Sequence, residues 1–264
     1  MGNEATLLGA YDAQLRGAPA VLPAGVTAER DGPLTRLVGQ FRGFVSAPAD
    51  LGVPEGPELD ALIVRQRDYF AARGEGVEWK IRGHDRPAGL PGALRAAGFV
   101  PEDRETVMIG RTERMTGDAP EPAGVTLRRT ERPEDFRAIG ALLTEVWDLD
   151  LTFLGADLLS RVAAAPEEIA VFLAEADGRP VSAAWLVFRP GTEFAGLWGG
   201  STLAAYRGRG IYRALVGVRA RLAAARGVRY LQVDASDASA PVLARMGFQA
   251  VTTTTPYVWS PPTP

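Results

Sequence analysis

Two stretches of this 264-residue chain run through the same succession of residues, and this near-repeat constrains the fold more than any other feature. Gly76-Val77-Glu78-Trp79-Lys80-Ile81 follows an amphipathic stretch, Leu59 to Arg73, and leads into Leu90-Pro91-Gly92-Ala93-Leu94-Arg95-Ala96-Ala97-Gly98-Phe99. Gly227-Val228-Arg229-Tyr230-Leu231-Gln232-Val233 follows a second such stretch, Ile211 to Arg226, and leads into Pro241-Val242-Leu243-Ala244-Arg245-Met246-Gly247-Phe248. Each copy reads helix, glycine-bearing turn, strand, short helix, Gly-Phe, strand. The Gly-Val pairs lie 151 residues apart and the Gly-Phe pairs 149, so the loops differ slightly in length. Chance competes for so short a match, but the shared order of elements favours duplication. Between the copies, Met115 to Gly124 carries two prolines and two glycines without apolar periodicity, as a linker does. The expectation is two tandem domains, 1–115 and 125–264, joined by a linker at 116–124.

The second half has a clear rhythm. Val125 to Thr130 reads as a strand, and Pro133 to Trp147 as a helix with proline in its first turn. Phe136, Ile139, Leu142, Leu143 and Val146 share one face of that helix. A shorter helix, Ala156 to Ala164, ends before Pro166. Ile169 to Ala176 and Val181 to Phe188 form a hairpin through Asp177-Gly178, with Pro180 just before the second strand. A third strand, about Glu193 to Leu203, enters an arginine-glycine turn. Beyond the turn Ile211, Ala214, Leu215, Val218 and Leu222 keep helical spacing. The order β-α-α-β-β-β-α-β-α-β predicts a mixed α/β sheet covered by helices.

Composition removes several chemistries. With no cysteine there is no disulfide, thiolate-bound metal or thiol nucleophile, and a single histidine, His84, excludes any two-histidine metal site. No metal is expected. Twenty-nine basic against 32 acidic residues give a net charge of −3, so no overall field draws the chain to nucleic acid or an anionic membrane. No apolar run approaches the ~18 residues of a membrane span, and the first residues lack a signal-peptide pattern, so a cytoplasmic protein is expected. Lys80 is the single lysine. Proton transfer must therefore fall to carboxylates, Tyr, Ser, water or backbone.

The turn Arg207-Gly208-Arg209-Gly210-Ile211-Tyr212 lies between a strand and a long helix. Glycines there permit positive φ and close backbone approach. The unpaired N–H groups and dipole of a helix start favour an anion, and Arg207 and Arg209 add cationic donors. A plain arginine-rich surface loop is the competing reading. A lysine-bearing phosphate loop is excluded, and a dinucleotide fingerprint fits poorly because the turn follows several strands.

With this context, residues from about 125 to 259 resemble the GNAT superfamily of acyl-CoA-dependent N-acyltransferases. The family signature Arg/Gln-x-x-Gly-x-Gly/Ala is met by Arg207 and Gly210, with Tyr212 where Gly or Ala is usual. The segment from Leu243 to Gly247-Phe248 resembles the family's closing helix and strand start. The resemblance implies a mixed, mostly antiparallel central sheet flanked by helices, with acetyl-CoA as co-substrate. It implies a splayed strand pair whose open edge, Gly200-Ser201-Thr202, receives the pantetheine arm, with pyrophosphate on the amides of 207–212. Gly199-Gly200 suits a bulge or close backbone approach, or simply a flexible strand.

Acyl transfer to an amine calls for a neutral nucleophile, a polarised carbonyl and a departing thiolate. Backbone N–H groups near Thr202 are candidates for the polariser. Glu193 is the candidate base, opening the strand that leads to the cofactor edge, with a solvated strand-end Glu as the competing reading. Asp148 and Asp150, after Trp147, are alternative bases or binders of a cationic acceptor; an ordinary helix-terminal acid patch competes. Many relatives use a Tyr on the last helix as acid, but Leu243 stands at that position here. Ser236, Ser239 and Tyr257 are replacements, and Ser239 doubles as a helix N-cap before Pro241. Where the first copy's pyrophosphate turn should lie stands Leu51-Gly52-Val53-Pro54-Glu55-Gly56-Pro57, acidic and broken by proline. The first half is therefore expected to be a partial, degenerate copy that binds no CoA. His84, in Gly83-His84-Asp85, is either a pH-sensitive group or a loop histidine paired with Asp for structural reasons. The sequence thus points to an N-acetyltransferase acting on an amine of a small molecule or peptide, with a non-catalytic acyl-CoA-binding or sensing module as the alternative.

Overall fold

The computed structural model describes residues 2–17, 22, 25–39, 42–115 and 121–262. In chain order the elements are α1 (Gly2–Leu15), β1 (Thr27–Asp31), β2 (Leu34–Val38), β3 (Gly43–Ser46), α2 (Pro57–Ala71), β4 (Val77–Arg82), α3 (Leu90–Ala96), β5 (Val100–Pro101) and β6 (Glu105–Arg111). They continue as β7 (Thr126–Thr130), α4 (Pro133–Trp147), α5 (Thr152–Ala164), β8 (Ile169–Ala176), β9 (Arg179–Phe188) and β10 (Phe194–Thr202). The chain ends with α6 (Ile211–Ala225), β11 (Tyr230–Ala235), α7 (Ala240–Arg245) and β12 (Gln249–Trp259). Most of the linker read at 116–124 lies outside the described residues.

The chain forms two compact units, one comprising 1–108, 234–240 and 250–264, the other 109–233 and 241–249. This differs from the expected division into 1–115 and 125–264. Strand pairing is the reason: β12 runs antiparallel to β4, from Thr254 opposite Arg82 to Trp259 opposite Val77, and so joins the first unit.

In the first unit the strand order is β1-β2-β3-β4-β12, with β5 added to β12. Alternation places Val77, Trp79 and Ile81 of β4 in one core with Leu59, Leu62, Ile63 and Phe70 of α2. In the second unit the order is β7-β8-β9-β10-β11, and all pairs are antiparallel except β10 with β11. Its core gathers Phe136, Ile139, Leu142 and Leu143 of α4, Leu158 and Val162 of α5, the inner residues of β8 and β9, and Ile211 and Leu215 of α6. The β8–β9 hairpin turns through Asp177 and Gly178, both at positive φ (50° and 75°). Strand β9 begins at Arg179, two residues earlier than expected. Pro180 therefore lies inside it, next to a register shift that tolerates its missing N–H.

The near-repeat has the same local geometry in both units. β3 pairs parallel to β4 over three residues, and β10 pairs parallel to β11 over three. The short helices α3 and α7 end alike. Gly98 and Gly247 both take positive φ (91° and 94°), and the N–H groups of Phe99 and Phe248 reach back to Leu94 and Leu243 carbonyls at 3.0 and 3.1 Å.

Candidate active site

The second unit's site is built around the end of β10. Its parallel ladder with β11 stops at Gly196 opposite Gln232, while β10 continues six residues to Thr202. On the other side β10 stays paired to β9, through a bulge between Trp198 and Ser201. Gly199 sits at φ 65°, where a side chain would run into the Trp185 ring. A Cβ on Gly200 would lie 2.7 Å from Cε2 of Tyr212. The Gly199-Gly200 pair is thus a bulge that also lets two aromatic rings approach the backbone. Tyr212, which replaces the small residue of the motif, packs its ring on the strand edge.

Side chains hold the three residues at the strand end. The Trp147 indole N–H donates to Ser201 Oγ at 2.9 Å. Ser182 Oγ donates to the Ser201 carbonyl at 2.6 Å and lies 2.8 Å from Thr202 Oγ1. Arg207 Nε donates to the Thr202 carbonyl at 3.1 Å, tying the turn back to the strand. Gly210 then takes positive φ (83°) as the residue preceding α6, and no side chain caps the helix. Neither Gly208 nor Gly210 faces an atom within 4 Å of where a Cβ would stand, so the approach to this helix start is open. Arg209 lies over the Tyr206 ring at 4.8 Å, leaving its charge beside the turn. Ile211 is buried in the core, so only its backbone serves the turn. A backbone start without a cap, flanked by two arginines, fits a diphosphate.

The acidic residues separate in role. Asp148 ends α4 in the left-handed region (φ 53°, ψ 39°). Asp150 accepts from the Thr152 hydroxyl at 2.6 Å and its N–H at 3.1 Å, fixing the start of α5; these bonds hold its carboxyl below the usual range. A carboxylate held ionised in this way is a weaker base and a more persistent anion. Trp147 and Leu149 beside them are exposed, as is Trp198 on β10.

The expected base, Glu193, lies at the far end of the strand. Glu193 precedes the first residue of β10, on the order of 25–30 Å of strand from Thr202. Its carboxylate takes Arg229 at 2.8 Å and its carbonyl accepts from Arg229 and Tyr230. Tyr257, the candidate acid, is carried by β12 into the first unit's core opposite Trp79, with Arg95 over its ring at 5.4 Å. Ser239 falls in the segment that joins the first unit, its hydroxyl on the Ser236 carbonyl at 3.2 Å. Leu243 is fully buried. His84 pairs with Asp12 at 2.9 Å rather than with its neighbour Asp85, which takes Arg16 at 2.5 Å, and its other ring nitrogen lies 2.9 Å from Thr252. That network belongs to the first unit.

Three contributors escaped the sequence reading. Ser182 gives no signal in the sequence. Tyr206 shows only as an aromatic residue before the arginines. Arg219 is detectable as a charge on the apolar stripe of α6.

A strand pair opened by a bulge thus runs directly into a glycine-led helix start without a side-chain cap. Residues 135–248 match the sequence model described as the Acetyltransferase (GNAT) family. The whole chain is similar in fold to a GCN5-related N-acetyltransferase from Kribbella flavida, with a TM-score of 0.65 and 19% identity over 98% of this chain and 95% of that one. A tandem GNAT protein from the clavulanic acid biosynthesis pathway gives a TM-score of 0.64 and 16% identity over 99% and 95%. A GCN5-related N-acetyltransferase from Sphaerobacter thermophilus gives 0.63 and 18% over 88% and 82%. No curated protein matches the sequence. At these identities the solved structures establish the fold: a mixed, mostly antiparallel GNAT-type sheet flanked by helices.

Proposed function

We propose that the second unit transfers an acetyl group from acetyl-CoA to an amine of a small molecule or peptide. The observation that carries this reading is the continuity of the one-sided edge of β10, up to Thr202, with the uncapped start of α6. Gly200, Ser201 and Thr202 receive the pantetheine arm along their backbone. Arg207, Gly208, Arg209, Gly210, Ile211 and Tyr212 take the diphosphate on backbone amides and guanidinium groups. N–H groups near Thr202 polarise the thioester carbonyl, an effect worth about 3 kcal/mol when well aimed. Holding both reactants at one edge contributes at least as much. Trp147, Asp148 and Asp150 line the acceptor side, where ionised Asp150 suits a cationic group better than it suits proton removal. With Leu243 buried, the thiolate leaves without a dedicated acid, and solvent takes the amine proton.

A second reading, a non-catalytic acyl-CoA-binding or sensing module, is favoured by one observation: Glu193 and Tyr257 are engaged away from the β10 edge. Release of free CoA in the presence of an amine panel separates the two.

The first unit supports binding of no CoA. Beyond the β3–β4 ladder its strands rejoin: Arg86 N–H donates to Ala49 O at 2.7 Å and Leu51 N–H to Arg86 O at 3.1 Å. Arg16 of the segment following α1 reaches Ala47 O at 3.4 Å, and α2 starts with Pro57, Glu58 and Asp60. A missing amide and two carboxylates oppose phosphate.

Calorimetry should therefore give one acetyl-CoA per chain. At 100 times its dissociation constant, the ligand should add about 2.7 kcal/mol, raising Tm by roughly 5–10 °C. Arg207→Ala combined with Gly210→Glu should remove that shift; strain at Gly210's positive φ should cost about 1–2 kcal/mol, so the shift is read against the variant's own unliganded Tm. An unchanged shift in the double variant, or two sites per chain, would refute the assignment.

A further inference from the structure

Arg219 occupies the core-facing stripe of α6, four residues after Leu215 and eight after Ile211, where an apolar side chain would complete the pattern. It is 1% exposed. Its Nε donates to the Leu215 carbonyl at 3.0 Å within its own helix. One terminal nitrogen reaches two strands, donating to Trp185 O of β9 at 3.1 Å and Trp198 O of β10 at 3.3 Å. Among the described residues no carboxylate pairs with it; burial pulls its pKa down to about 10, against an opposing effect from Tyr212. It is still a cation at neutral pH. A buried charge without a counter-ion is costly, and a leucine or methionine would fill the space without that cost.

The location of its carbonyl partners explains why a cation serves here. Trp198 is the last residue of β10 before the register shift, and Trp185 is its partner across the ladder. A bulge disrupts the ladder locally, and a buried carbonyl at its edge needs a donor. One guanidinium serves both strands at the near side of the break, with planar geometry that a lysine lacks. The carbonyls of Ser201 and Thr202, next along the strand, are taken by Ser182 and Arg207. The α6 side therefore secures the bulge at its first residue, and the turn secures it at its last.

We propose that Arg219 is a positioning residue. By gripping the Trp185 and Trp198 carbonyls it fixes the bulge in β10, and so sets the Gly199–Thr202 backbone on which the acyl-CoA lies. The last clause rests on the acetyltransferase reading; the hold on the bulge does not.

The test compares full-length wild type, Arg219→Met and Arg219→Lys by amide hydrogen exchange without ligand, then by steady-state kinetics with acetyl-CoA. In Arg219→Met, exchange should rise about tenfold or more at Gly199–Thr202 while β8 keeps its protection. KM for acetyl-CoA should rise roughly tenfold with a smaller loss in kcat, and Arg219→Lys should recover part of both. A merely structural role would lower the active fraction, and hence kcat, and leave KM unchanged. Wild-type exchange at Gly199–Thr202 in a cooperatively melting Arg219→Met protein overturns the assignment. Should that variant not melt cooperatively, Arg219→Gln, which keeps one donor amide without charge, is read in the same way. Faster exchange in the variant with no acetyl-CoA binding by wild type would retain the grip on the bulge and reject the acetyltransferase reading.

Discussion

Tyr212 stands where the GNAT motif has glycine or alanine, and its ring explains why Gly200 has no side chain. A methyl group on Gly200 would sit 2.7 Å from Cε2 and 3.3 Å from Cδ2 of that ring. Gly200→Ala should therefore cost about 1–3 kcal/mol, as overpacking does. The cost should vanish once the ring is removed: in a Tyr212→Ala background, Gly200→Ala should be neutral within about 0.5 kcal/mol. Denaturant unfolding of the four proteins gives the coupling directly, and additive effects would show that the ring and the strand do not share this space. The sequence announces part of this arrangement, because Gly199-Gly200 in a strand already suggests a bulge. Which rings fill the space is not legible, since Trp185 and Tyr212 reach it from a neighbouring strand and a later helix.

Among the elements, α4 is seated by charge as well as by its apolar face. Arg128 of β7 spans Asp135 in the first turn of α4, at 2.7 Å, and Glu175 of β8, also at 2.7 Å; the Thr130 hydroxyl donates to Asp135. Arg128 holds both carboxyls below their usual range, with Thr130 helping at Asp135. The folded state therefore depresses both values, so the stability they contribute is complete above the unfolded carboxylate range near pH 4. It is lost as pH falls through the lower folded-state values. Arg128→Ala should cost about 2 kcal/mol at pH 7, because Asp135 is left buried without its partner. Its Tm should then converge with that of wild type as pH falls below the usual carboxylate range, and a gap that stays constant on acidification would count against the ion pairs. The limits of α4 were legible from Pro133 and the apolar period. Those of α5 were not: it begins at Thr152, where Asp150 accepts from Thr152, and Gly155 sits against the Phe136 carbonyl of α4. Gly155, just outside the helix expected from Ala156, is here a close helix-to-helix contact.

For the whole molecule, local order was legible and long-range membership was not. The repeat, the Arg-Gly turn and most strands of the second half follow from spacing along the chain. Nothing in that spacing says that the final strand leaves its own half to pair with β4, because such pairing depends on which edge is open in three dimensions. The same pairing makes Tyr257, which in sequence reads as an available hydroxyl, a core residue opposite Trp79. Cutting the chain at its apparent linker therefore divides the first unit's core. A 1–115 fragment would lack the strand that covers β4 and the Tyr257 ring that completes its core, leaving an open apolar edge. A 125–264 fragment would carry β12 without that partner. Both fragments should be poorly dispersed in NMR spectra and prone to associate in size-exclusion chromatography. A permuted fragment in which residues 249–262 follow residue 115 through a flexible Gly/Ser linker long enough to reach β4 should instead melt cooperatively. Well-dispersed, monomeric behaviour of 1–115 alone would show that β12 is dispensable to the first unit. Equal failure of 1–115 and the permuted fragment would show that β12 does not suffice to complete it.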